Sequence, residues 1–120
     1  MTDNQREYLR FPVALSAEVL FEGQIHPAAT RDISEGGVGF ITQAPLSEGS
    51  TVSVLLFLTQ DGIEDPDLEP LDVEGTIVWS AEREDGGHIA GARFSDLNSA
   101  QQARLARFLM EVERATEKVA

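Results

Sequence analysis

The sequence predicts a mainly β domain, a small barrel or sandwich of about six short strands closed off by one C-terminal helix. Three features predict it. Apolar residues recur with a two-residue period from Val13 to Phe94, glycine and proline turn signals punctuate that stretch, and the period lengthens to that of a helix after Asn98. A chain of 120 residues suffices for one hydrophobic core, so a single domain over 1–120 is expected.

The elements follow in order. Val13, Leu15, Ala17 and Val19 alternate with Ala14, Ser16 and Glu18, as in a strand with one buried face. Glu22-Gly23 is a turn signal, and Ile25 to Ile33 is the next strand, with Pro27 suggesting a sheet edge. Gly36-Gly37 leads into a short strand from Val38 to Thr42. Val52 to Leu58 reads as a fully buried strand, and Gln60 to Pro70 as an acidic, solvated loop. Val73, Gly75, Ile77 and Trp79 share one face of a further strand, and Asp85-Gly86-Gly87 turns the chain into the last, His88 to Phe94. Asn98 or Ser99, with Gln101 or Gln102 three residues on, forms a capping box for a helix to about Lys118. Leu105, Phe108, Leu109 and Val112 make its apolar face, and Ala115 and Val119 extend it. A helix near 30 Å, at ~1.5 Å per residue, exceeds what a small barrel needs as a lid. The surplus stripe marks a candidate seam for a homodimer or another partner.

Composition excludes several classes. Twenty-one acids against nine bases give a net charge of −12, unlike a non-specific nucleic-acid binder. The longest apolar run, Val54 to Leu58, is far short of the roughly 18 residues of a membrane span. The polar start predicts no secretory signal, and the lack of cysteine suits a reducing cytoplasm. The charge is uneven: residues 1–31 net −1, residues 32–97 net −12, and residues 98–120 net +1. An anionic ligand is therefore expected near Arg6, Arg10 and Arg31.

No catalytic constellation stands out. His26 and His88 have no nucleophile pattern beside them, and no HxxxH or CxxC spacing signals a metal site. The carboxylates of Asp61, Glu64, Asp65, Asp67 and Glu69 lack the spacing of a calcium loop. Neither an enzyme nor a bound metal or cofactor is expected.

Two local patterns carry more information. Arg6-Glu7-Tyr8-Leu9-Arg10 is an R-x-x-x-R just before the first strand. Guanidinium forks pair with phosphate or with the O6/N7 edge of guanine, and their flat faces stack on bases. Alone, the pattern is better read as a solvated arm. Asp32-Ile33-Ser34-Glu35-Gly36-Gly37 is a D-x-S-x-x-G. Its carboxylate can accept from the N1–H and N2–H of guanine, and its glycines allow close backbone approach. Alone, it is better read as a β-turn closed by an Asp or Ser side chain.

Together and in this order, the two patterns resemble the PilZ domain, a bacterial receptor module for cyclic di-GMP. Arg6 and Arg10 match the family's R-x-x-x-R; Asp32, Ser34 and Gly37 match its [D/N]-x-S-x-x-G. The similarity extends through Arg10-Phe11-Pro12-Val13, the Gly75-to-Trp79 strand and Gly91-Ala92-Arg93-Phe94. The resemblance implies a six-stranded antiparallel β-barrel (13–95) with a C-terminal helix (98–118) and a ligand-binding arm (1–12). It further implies that Arg6 and Arg10 contact phosphate and guanine, that Asp32 and Ser34 bind a guanine edge, and that Gly37 gives room. Gln5, Arg31 and Trp79 are secondary positions; many relatives carry arginine where Gln5 stands, a position that influences whether one nucleotide or an intercalated pair binds. The implied function is a cytoplasmic switch acting in trans on a downstream protein, with no nucleic-acid partner and no membrane insertion. The alternative is a PilZ-like adaptor that works through protein contacts without the nucleotide.

Overall fold

The computed structural model describes residues 9–60, 63–64 and 69–119. Its strands are β1 (Phe11–Pro12), β2 (Ser16–Phe21), β3 (Gln24–Ile33), β4 (Gly37–Thr42), β5 (Thr51–Leu56), β6 (Thr59–Gln60), β7 (Ile63–Glu64), β8 (Leu71–Glu82) and β9 (His88–Phe94). Helix α1 (Ser99–Val119) follows. The strands β3-β2-β5-β8-β9-β4 pair antiparallel in that order, and β4 returns to β3, closing a six-strand barrel. Strand β1 is an extra, pairing with the end of β3 beyond the reach of β2.

The inward faces follow the two-residue period. Leu15, Ala17 and Val19, then Val38 and Phe40, then Val52, Val54 and Leu56 are buried, together with Val73, Ile77, Ala90 and Ala92. The β5 strand departs from the fully buried reading: Ser53 and Leu55 face outward and are only half-buried, because β5 is a barrel stave with one solvent side. Barrel closure also removes the edge suggested by Pro27. β3 is paired on both sides, and Pro27 is tolerated because the β4 register begins one residue later, at Ala28↔Thr42. The Pro27 carbonyl still accepts from the Thr42 hydroxyl, at 2.8 Å.

Two irregularities shape the outer wall. The β1–β3 register of Phe11↔Ile33 slips to Ser16↔Ala29 in the β2–β3 pairing. Buried Thr30 holds this slip, its hydroxyl accepting from the Leu15 N–H at 2.7 Å and donating to the Val13 carbonyl at 2.5 Å. On β8 the register with β9 shifts between Ile77 and Trp79. That bulge corrects the expected common face: Val73, Gly75 and Ile77 point inward, whereas Trp79 is turned out, 37% exposed.

Helix α1 begins with a reciprocal capping box. Asn98 Oδ1 accepts from the Gln101 N–H and Gln101 Oε1 from the Asn98 N–H, each at 2.8 Å. Gln101 and Arg104 donate to the Asp72 and Glu69 carbonyls, fixing the helix against the start of β8. Leu105, Phe108 and Leu109 are buried, and Val112 packs at the margin of the core. Burial of each large apolar side chain contributes about 1.5–3 kcal/mol, enough to hold a helix with this mixed surface on the barrel. Met110 and Ala115 are exposed. No helix among the described residues is long and apolar enough to cross a membrane.

Candidate functional site

Strand β1 brings the two sequence patterns together. Its register sets Pro12 opposite Asp32, so Arg10, two residues earlier on the same face, becomes the diagonal neighbour of Asp32. Arg10 Nη1 donates to Asp32 Oδ1 at 2.7 Å, a contact across 22 residues of sequence. Arg6 and Gln5 lie outside the described residues. Arg31 is exposed at the β3 irregularity, and its carbonyl accepts from the Val13 N–H at 3.2 Å.

Asp32 heads a row that crosses the outer wall. The pairings Asp32↔Gly39, Gly39↔Gly91 and Gly91↔Trp79 set β3, β4, β9 and β8 side by side. Ile33, Val38, Phe40, Ala90 and Ala92 point into the core, so Asp32, Gly39 and Gly91 face out. A β-carbon on Gly39 would stand 3.0 Å from Asp32 Oδ1 and 3.4 Å from both Cγ and Oδ2. One on Gly91 would overlap the Trp79 indole, 2.6 Å from Cε2 and 2.9 Å from Cδ1. Asp32 and Trp79 thus lie folded along the wall, each over a glycine. In the sequence Gly91 stands out only as part of Gly91-Ala92-Arg93-Phe94 and Gly39 only as the glycine two residues beyond Gly37; the side chains folded over them come from distant strands.

Ser34 and Gly37 are spent on the loop between β3 and β4. Ser34 is buried, and its Oγ accepts from the Gly36 and Gly37 N–H groups, each at 3.1 Å. The Ser34 N–H donates to the Gly37 carbonyl at 2.9 Å. Gly37 pairs with Arg93, and a β-carbon there would come within 2.5 Å of the Ala92 carbonyl oxygen. The room at Gly37 therefore serves the close approach of β9. Gly36 accepts from the Phe94 N–H and, with Glu35 and Arg93, lines a cavity of about 550 Å³ whose far wall is Leu97, Gln102 and Leu105. The loop beside Asp32 thus faces the first turns of α1 across that cavity. Among the described residues, no group of three His, Cys, Asp or Glu side chains is arranged to hold a metal ion.

Comparison with known proteins agrees with this architecture. The PilZ domain family model matches residues 4–111, and the chain belongs to that family. The PilZ domain of YcgR from Escherichia coli, solved with c-di-GMP, superposes with a TM-score of 0.75 at 16% identity, covering 96% of each chain. The K. pneumonia MrkH–c-di-GMP complex gives 0.75 at 14% identity over 99% of this chain and 57% of that one. The Bacillus subtilis inhibitor of motility MotI/DgrA gives 0.74 at 15% identity over 97% and 53%. This chain spans about half the length of the last two. At these identities the similarity concerns the fold. No curated protein matches the sequence.

Proposed function

We propose that this protein is a cyclic di-GMP receptor whose site is the outer wall at Arg10, Asp32 and the β3–β4 loop, with Arg6 completing the arginine pair. The observation that carries this reading is the 2.7 Å contact between Arg10 and Asp32. The barrel sets a guanidinium donor and a carboxylate acceptor side by side at the surface, the two groups needed to read a phosphate and a guanine edge. Asp32 Oδ1 is engaged by Arg10, so binding re-partitions an existing ion pair. Ser34 serves by fixing the loop backbone and Gly37 by letting β4 meet β9; Trp79 offers an aromatic wall in the same row, with Arg31 at the margin and Gln5 as a secondary residue. YcgR and MrkH, solved with the same nucleotide, share the fold and add support.

No bond is made or broken in this function, and no cofactor takes part. Binding brings the arginine pair onto the nucleotide and alters the surface shown to a downstream cytoplasmic protein. A shift of the β3–β4 loop changes the cavity that it shares with α1. Calorimetric titration with cyclic di-GMP, cyclic di-AMP and GTP tests the reading. Cyclic di-GMP binds at micromolar affinity or better, about −8 kcal/mol, and the others far more weakly. Equal affinity for the di-adenylate contradicts the role of Asp32, because adenine lacks the N1–H and N2–H donors. No binding at all leaves the adaptor function.

A further inference from the structure

We propose that Gly39 and Gly91 are positioning residues for guanine recognition, because they let Asp32 and Trp79 lie flat on the barrel wall. The inference rests on the receptor reading above and adds these two glycines to that site.

The geometry at Gly39 is specific. Asp32 Oδ1, Cγ and Oδ2 all fall between 3.0 and 3.4 Å from the point where a β-carbon would sit. Those distances put the carboxylate in the space that a side chain at 39 would fill, with Oδ1 the nearest atom. A base donating to Asp32 therefore meets a carboxylate held low on the wall, beside Gly39. Oδ1 already accepts from Arg10, whose guanidinium approaches from the β1 side. Oδ2 has no protein donor among the described residues, leaving it for a nucleotide.

Gly91 repeats the device one strand further on. The Trp79 indole occupies the space that a side chain at 91 would fill, so the aromatic ring bounds the shelf while remaining low on the wall. Neither glycine has a positive φ, so turn formation does not explain either. Each is required by the side chain folded over it.

A double-mutant cycle on the full chain tests this, with cyclic di-GMP titrated to millimolar concentration and apo melting followed in parallel. Gly39→Val lifts Asp32 off the wall and weakens binding about tenfold to hundredfold, the loss expected for one charge-assisted hydrogen bond. Gly39→Ala, whose smaller methyl displaces the carboxylate less, weakens it by a smaller factor. In an Asp32→Ala background neither substitution costs anything more, since the group they displace is gone. Gly91→Ala weakens binding in the parent and has no further effect beside Trp79→Ala. Apo melting stays within a few degrees for Gly39→Ala, and should Gly39→Val fail to fold, the alanine cycle decides. Unchanged affinity in the Gly39 variants, or equal losses with and without Asp32, overturns the inference. Parent protein that binds no cyclic di-GMP overturns the receptor reading; parent binding with indifferent Gly39 variants overturns this inference alone.

Discussion

Arg10→Ala separates a binding role from a folding role. The Arg10 and Asp32 side chains are 56% and 25% exposed, so their 2.7 Å ion pair is well solvated on one side. Pairs of this kind contribute about 0.2–1 kcal/mol to stability, since solvent screens the attraction and two side chains must be held in place. For a domain of this size, a loss under about 1 kcal/mol lowers the melting temperature by only a few degrees. Asp32 regains water when Arg10 is removed, so no buried charge is stranded. A charge-assisted contact to bound nucleotide is worth more, about 1.5–3 kcal/mol, or roughly a tenfold to hundredfold change in Kd. Differential scanning fluorimetry of the apo protein and calorimetry with cyclic di-GMP, run on the same preparations, read the two effects separately. The expected result is a nearly unchanged melting curve with a much weaker Kd. A melting temperature lowered by ten degrees or more with undiminished affinity would refute the assignment and make the pair structural.

Other substitutions probe the framework. Thr30→Val removes the hydroxyl that serves the Leu15 N–H and Val13 carbonyl in a buried position, and should cost about 1–3 kcal/mol in denaturant unfolding. Gly37→Ala should lower apo stability, because its β-carbon meets the fixed Ala92 carbonyl; a variant of parental stability with impaired binding would return Gly37 to a ligand-facing role. For the helix, sedimentation of the full chain beside a chain ending at Leu109 tests the surplus turns. A homodimer seam predicts a dimer that the truncation dissolves, and a full chain that stays monomeric at high concentration excludes it. Replacing Asp61, Glu64 and Asp65 by Asn or Gln should preserve the fold, and calcium should leave the melting temperature of the parent unchanged.

Much of the fold was legible because burial imposes a period. Leu15, Ala17 and Val19, or Leu105, Phe108 and Leu109, can be buried together only by one strand face or one helix face. The capping box at Asn98 and Gln101 was legible for a similar reason, since its hydrogen bonds are local. What escaped depends on register between distant segments. The β8 bulge that turns Trp79 outward is one inserted residue whose effect is seen only against β9. Pro27 signals an edge locally, and only closure of β4 onto β3 removes that edge. The same holds for the site. Arg10 and Asp32 each suggested anion or base recognition, but their contact depends on the two-residue β1 strand, too short to show a period. Ser34 and Gly37 were legible as a motif, while their work inside the loop and against Ala92 needed the tertiary structure.

The proposed function places cyclic di-GMP on the outer wall between β1 and β8. Backbone amide shifts recorded through a titration with the nucleotide test it most directly, because they report binding and location together. The largest changes are expected at Arg10, Asp32 to Gly39, Trp79 and Gly91, with smaller ones at Gln102 and Leu105 across the cavity. Saturable shifts confined to another face of the barrel, or no shifts at millimolar nucleotide, would contradict it.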